Sequence, residues 1–242
     1  MIFIEIGAHH GQSLEVALNP KYGFDRFILF EPSESALKKL EFFKDSRVEI
    51  FKFGLGENDT VTKLYNSGAV SATLFQEKFK NQKKIPVELI QMRQSAKTLS
   101  PYLRDTKVFI RINCEGSEVK ILKNLLEYKL LNRRHSILVD FDMLRMEPAY
   151  PIKKLIEELN QSKVKYYTAE SFNTTYTKDS VRKWLDFELN PNFKEVNFCL
   201  KIKYHTKSYF FIRRRLYKLI VGAVPISFKI IFIKTRQRLK SF

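Results

Sequence analysis

The segment IFIEIGAHHGQS at residues 2–13 restricts the fold of this chain more than any other. Ile2, Phe3, Ile4 and Ile6 make a short apolar run of the kind that forms a buried strand. The run passes into a turn bounded by Gly7 and Gly11, and a helical pattern starts at Gln12 or Ser13. A buried strand, a glycine turn and a helix start form the usual cradle for a nucleotide-like cofactor in a parallel α/β sheet. Glycine allows the backbone to approach a ligand closely and to adopt positive φ.

The alternation repeats along the chain. Apolar strand patterns occur at residues 26–30, 48–53, 108–112, 137–141 and 164–167, with a last one at 195–203. Helical patterns occur at 35–43 (capped by Ser33), 117–126, 150–161 and 179–184. Shorter strands at 60–65 and 86–91 flank a polar loop at 66–84, and Gly54 and Gly56 close the third strand. This order predicts an α/β fold with a doubly wound, mainly parallel, seven-stranded sheet. The last pair can include an antiparallel strand, as mixed sheets do.

The net charge of +17 is not spread evenly. Residues 201–242 hold twelve of the 43 Lys and Arg and no Asp or Glu, so residues 1–200 carry 31 cations against 26 acids, or +5. The expected division is therefore a catalytic-size domain at 1–203 and a basic, helical, amphipathic tail at 204–242. In the tail Ile212, Leu216, Leu219 and Ala223 share a helical face beside Arg213, Arg214 and Lys218. Its longest uncharged stretch, 219–228, is far below the roughly 20 residues of a membrane span and contains Pro225. That composition suits an anionic membrane surface better than nucleic acid, the less favoured partner, and packing against the body or another subunit is the remaining alternative. Two cysteines, Cys114 and Cys199, form no framework, and no basic region precedes the first apolar run. Both point to a reducing compartment, the cytoplasm, with the tail at the inner face of a membrane.

Glu31 ends the second strand, 24 residues after Gly7, where a carboxylate can hold a ribose diol. This position suits nicotinamide dinucleotides and S-adenosylmethionine alike. The turn separates them: a dinucleotide favours G-x-G-x-x-G, whereas this chain has Gly7-x-x-x-Gly11 with His9 in the middle. A bulky residue there opposes a pyrophosphate and is compatible with the amino-acid end of S-adenosylmethionine.

Three blocks in order, IEIGAHHGQS, FEP at 30–32 and IRINCEGSE at 110–118, resemble the FkbM family of S-adenosylmethionine-dependent O-methyltransferases, as does the Ser71-Ala72-Thr73 loop between the last two. The resemblance covers about residues 2–165 and implies a Rossmann-like methyltransferase fold. It also implies that Gly7, Ala8, His9 and Gly11 line the methionine end of S-adenosylmethionine and that Glu31 holds its ribose. Glu5, Ser13 and Asn113 complete the expected cofactor set, and the third block closes the acceptor site. Two departures stand out: His9 replaces the family's Asn, and Arg111-Ile112-Asn113 replaces its Lys-Ile-Asp. Asn113 can accept a hydrogen bond but cannot act as a base. The chain starts at its first strand, so either part of the cover over the site comes from another segment or the site is more open.

The candidate general bases are His9, His10, Asp140 and Asp142. The two Asp residues lie at the carboxyl end of a strand, where open α/β sheets place ligands, and the alternative for each is a cap or an ion pair. His titrates near neutrality, and the alternative for His9 and His10 is to fix the turn. Glu115 and Glu118 are assigned to the start of the following helix. Cys114 reads as a small buried residue, and no His or Cys spacing suggests a metal. The expected activity is methyl transfer to a hydroxyl of a sugar or glycan, free, nucleotide-linked or lipid-linked. RNA methylation, a non-catalytic cofactor-binding role and, more distantly, a nicotinamide-dependent reaction are the alternatives.

Overall fold

The computed structural model describes residues 1–79, 84–141, 149–172, 174 and 177–190. Its centre is a six-stranded, wholly parallel sheet. In chain order the strands are β1 (Ile2–Ile6), β2 (Arg26–Phe30), β3 (Val48–Phe51), β7 (Val108–Ile112), β8 (His135–Val139) and β9 (Lys165–Tyr167). A small second sheet between β3 and β7 contains β4 (Gly54–Gly56), β5 (Thr60–Tyr65) and β6 (Val87–Gln94). The helices are α1 (Gln12–Ala17), α2 (Glu34–Leu40), α3 (Ser95–Leu103), α4 (Glu118–Glu127), α5 (Ala149–Gln161) and α6 (Thr177–Leu189).

The spatial order is β3-β2-β1-β7-β8-β9. The chain winds outward from β1 to β3, returns, and winds outward again from β7 to β9. This makes the molecule a doubly wound, Rossmann-like α/β fold, with its switch point between β1 and β7. Parallel strands need crossovers, and right-handed crossovers lay helices on both faces. One face carries Ile4, Ile28, Ile110 and Ile137 against Leu99 and Leu103 of α3, Ile121, Leu122 and Leu125 of α4, and Leu155 and Leu159 of α5. The other carries Phe3, Phe27, Leu29, Phe109 and Leu138 against Leu14 and Ala17 of α1, Leu37 and Leu40 of α2, and Val181 and Trp184 of α6. Burial on both faces explains why β1, β7 and β8 read as near-continuous apolar runs.

The structure departs locally from the sequence reading. The third strand stops at Phe51, and Gly54 and Gly56 enter the second sheet instead of ending the first. The fifth core strand is His135–Val139, which leaves Asp140 just beyond its end. α2 ends at Leu40, and Ser33 holds the N-cap position without bonding the helix, because its hydroxyl meets Ser35 and Ser67 at 3.1 and 3.0 Å. α6 extends well past the expected 179–184. α3 is absent from the sequence reading, and it contains Pro101. Its start is fixed from outside: Asn124 Oδ1 accepts from the Ala96 N–H at 2.8 Å, and the Ser95 hydroxyl donates to the Gly56 carbonyl at 2.6 Å. The strand expected at residues 195–203 and the tail at 204–242 lie outside the described residues. Among the described residues no helix is long and apolar enough to cross a membrane.

Candidate functional site

The turn after β1 spends its backbone donors on its own fold. The Gly7 and Ala8 N–H groups both donate to the Phe30 carbonyl, at 2.9 and 3.2 Å, and the Gly11 N–H donates to Ala8 at 2.8 Å. The His9 N–H donates to Glu31 Oε2 at 2.8 Å, and Glu31 Oε1 accepts from the Ser33 N–H at 2.8 Å. Gly7 (φ 81°), His9 (φ 48°) and Gly11 (φ 77°) give the chain its left-handed path. A Cβ on Gly7 would lie 2.1 Å from the Asn113 carbonyl oxygen, so only glycine lets the turn close against the end of β7. A dinucleotide needs bare N–H groups for its pyrophosphate. Four of them are committed here, which agrees with the spacing argument against that ligand. The same bonds place the buried Glu31 carboxylate at the carboxyl end of β2. Burial raises its pKa, and the Ser33 and His9 N–H groups oppose that shift.

Beneath the turn lies a buried charged group. Glu5 of β1 and Arg111 of β7 are paired in register and face the α1 side of the sheet. The Arg111 side chain has no solvent exposure. It donates to the Ile112 carbonyl at 2.8 Å, approaches Leu138 O at 3.5 Å, and pairs with Asp140 just past β8. Burial pushes the Glu5 carboxyl up to about 7, with Ser13 and Arg111 pulling the other way. Ser13 Oγ approaches this carboxylate, yet neither it nor Glu5 Oε2 completes a hydrogen bond. Among the described residues five buried side-chain atoms have no hydrogen-bond partner: Glu5 Oε2, His9 Nε2, Ser13 Oγ, Arg111 Nε and Asn113 Oδ1. All five belong to the ends of β1 and β7 or to the turn and helix that follow β1. Buried polar groups are nearly always satisfied, so such a concentration makes these strand ends the candidate place for a polar ligand or ordered water.

The third block forms a strained bend. Glu115 (φ 51°) and Gly116 (φ 137°) both have positive φ, and a Cβ on Gly116 would meet the Phe75 ring at 2.5 Å. The bend is held by Glu118, whose carboxylate accepts the Cys114 N–H at 3.0 Å and the Gly116 N–H at 2.9 Å. Glu118 thus ties the loop to the start of α4. Glu115 instead pairs with Lys78. Cys114 is half-buried, and its thiol pKa is pushed well up by burial, so it is a poor nucleophile.

The cover over these strand ends comes from residues 66–79, between β5 and β6. Tyr65 and Thr73 pair through backbone bonds of 2.8 and 3.0 Å and pinch off the loop. On one side Ser67 bonds Ser33 and Glu88, and Glu88 accepts the Glu34 N–H at 3.1 Å. On the other, the Thr73 hydroxyl donates to the Glu115 carbonyl and Lys78 holds the Glu115 carboxylate. One segment therefore ties down both the block after β2 and the block after β7. The sequence singles out Ser71-Ala72-Thr73 in this loop and the Arg111 departure in the third block, but gives no role to Arg111, Lys78 or Ser67.

The histidines sit together at the rim. The His9 and His10 rings stack with centroids 3.6 Å apart. The pKa of each is lowered by burial first; for His9 the neighbouring His10 adds to the lowering, a hydrogen bond to the Gly68 backbone opposes it and Lys39 adds to it again, and Lys39 also lowers His10. Asp140 is occupied by Arg111, and Asp142 lies outside the described residues. Among the described residues no group of His, Cys, Asp and Glu could hold a metal.

No protein-family model and no curated protein matches the sequence. One solved structure that it resembles is a methyltransferase FkbM from Methylobacillus flagellatus KT, with a TM-score of 0.34 and 22% identity. The overlap covers 52% of this chain and 28% of that one, so the chain spans well under half the length of that protein.

Proposed function

We propose that the chain is an S-adenosylmethionine-dependent O-methyltransferase acting on a hydroxyl of a sugar or glycan. The unpartnered buried atoms at the ends of β1 and β7 carry this reading. Glu5 Oε2, Asn113 Oδ1 and Ser13 Oγ are acceptors that suit an ammonium donor, and Glu31 stands at the end of β2 where a ribose diol is held. A cationic amino acid joined to a nucleoside fits that set, whereas a pyrophosphate has no free N–H groups at Gly7, Ala8, His9 or Gly11.

When bound, the cofactor supplies an already activated methyl group. What this chain must then add is alignment, dryness and a place for one proton. Residues 66–79 exclude water from above. His9 takes the acceptor's hydroxyl proton: its Nε2 makes no hydrogen bond, and burial keeps the ring neutral at pH 7, the form a base needs. Asn113 has no basic atom, and Asp140 is neutralised by Arg111. The basic residues of 204–242 would hold the enzyme at an anionic membrane surface in the cytoplasm, where lipid-linked saccharides are assembled.

Titration calorimetry with S-adenosylhomocysteine tests the cofactor assignment. Saturable binding that weakens in Glu31→Gln is expected; no heat at millimolar nucleoside refutes it. Vesicle flotation with and without residues 204–242 tests the membrane assignment, which fails if both forms stay unbound to anionic lipid.

A further inference from the structure

We propose that His10 and Lys39 form a subsite for a phosphate group of the acceptor. Lys39 lies on the exposed side of α2, and its Nζ is 3.5 Å from His10 Nδ1. His10 in turn stacks on His9. Three basic side chains from two elements thus make one continuous cluster beside the glycine turn. Among the described residues no carboxylate pairs with Lys39 or with the His10 ring. Elsewhere Lys21, Lys52, Lys78, Lys165 and Lys178 each face an acid. The Glu31 carboxylate, at the end of β2, is turned onto the His9 and Ser33 N–H groups.

Lys39 beside two imidazoles, with no acid to balance it, disfavours the charged form of each ring. A phosphate reverses the effect: it accepts from Lys39 and from a protonated His10 through short charge-assisted hydrogen bonds. Ser35 lies one helical turn before Lys39 on α2, and its hydroxyl already meets Ser33 at 3.1 Å. It therefore borders the subsite and leaves the charge to Lys39 and His10. The position matters for the reaction. His10 is adjacent to His9, so a sugar phosphate anchored there brings its hydroxyls to the base. The assignment rests on the proposed methyl transfer only for what the phosphate is attached to; the anion subsite itself is tested without it.

The experiment follows histidine ring resonances of the full-length protein during titration with inorganic phosphate at constant ionic strength, with chloride as control. Saturable shifts confined to His9 and His10 are expected. Lys39→Met should weaken binding by roughly tenfold or more, the worth of a charged hydrogen bond. The Lys39→Met protein, changed at an exposed position, should keep the parent's far-ultraviolet circular dichroism and Tm, which confirms that it folds. Equal responses to phosphate and chloride, or a Lys39→Met protein that binds phosphate as the parent does, overturn the subsite. Three further probes identify the source. A uridine diphosphate sugar or a short-chain prenyl diphosphate sugar should bind more tightly than phosphate alone, and which of the two does so separates nucleotide from lipid carriers. If neither gains, or if adenosine 2′,5′-bisphosphate binds more tightly than both, the phosphate does not belong to the acceptor. Loss of nucleoside binding with phosphate binding intact would refute the methyltransferase reading and leave the anion subsite standing.

Discussion

Replacing Asp140 with Asn separates a structural carboxylate from a catalytic one. The Arg111 side chain it pairs with is fully enclosed, while the Asp140 side chain is 16% exposed. Two of the guanidinium's contacts, to the Ile112 and Leu138 carbonyls, are neutral acceptors and survive the change. The charge compensation does not. A buried charge that loses its partner costs about 3–5 kcal/mol, and an Asn that still accepts a hydrogen bond places this variant near about 3 kcal/mol. For a chain of this size that is a fall in Tm of about 6–12 °C. Glu5 makes the loss depend on pH. It stands opposite Arg111 in register, and its carboxyl is raised to about 7. At pH 8 it is largely ionised and can replace Asp140 as the counter-charge; at pH 6 it is largely protonated and cannot. The Tm deficit of Asp140→Asn, read by scanning calorimetry, should therefore be larger at pH 6 than at pH 8. A deficit below about 1 kcal/mol at both values would show that Arg111 does not need this carboxylate. Asp140 would then return to the set of candidate bases.

Three other perturbations probe the same region. A carboxyl whose pKa is raised in the folded state stabilises most below its unfolded value of 4.5, and that contribution is lost as pH rises through about 7. At 1.36 kcal/mol per pH unit the span is about 3 kcal/mol, so Glu5→Gln should flatten the stability profile between pH 5 and 8 in urea titrations, and an unchanged slope would refute it. Gly7→Ala sets a methyl group 2.1 Å from a backbone carbonyl at φ 81°, so a loss of stability and of nucleoside binding is expected; wild-type behaviour in both assays would contradict the close approach of the turn to β7. Lys78→Met removes the side-chain tie to Glu115, so amide exchange at residues 66–76 should accelerate several-fold with little change in Tm, and unchanged protection would show that the tie does not hold the loop.

The sheet was legible because its signals are local and redundant. Each of β1, β2 and β7 is five residues of nearly unbroken apolar chain, and burial on both faces leaves no other reading. Boundaries were harder, because the chain alone does not show where a neighbour stops pairing: β8 ends at Val139 with Ile112, the last residue of β7. The small sheet was half visible. β5 and β6 carry the β-branched and apolar residues of strands, whereas β4 is Gly54-Leu55-Gly56, which reads as punctuation and pairs with Met92 to Gln94 beside it. α3 contains Pro101 and is anchored at its start by the Asn124 amide of α4, a contact distant in sequence.

The site was legible in outline for a different reason. Glycine spacing and the acid after β2 are backbone requirements, and these are written into sequence. What the residues do to one another is not. Arg111 looked like a variation on a lysine, yet its meaning lies in three strands at once: Glu5 beside it in β1, Leu138 beside it in β8, and Asp140 past the end of β8. One signal was available. Glu5 and Arg111 are the charged residues that break two otherwise apolar runs, each one place before the strand's last residue. In parallel strands that are adjacent and in register, equal positions face each other, so opposite charges at equal positions predict a buried pair. That inference needs β1 and β7 to be neighbours, which is what the doubly wound order dictates at its switch point. The fold class therefore predicts the pair, which lies beside two side-chain atoms, His9 Nε2 and Asn113 Oδ1, that the protein leaves without a hydrogen-bond partner.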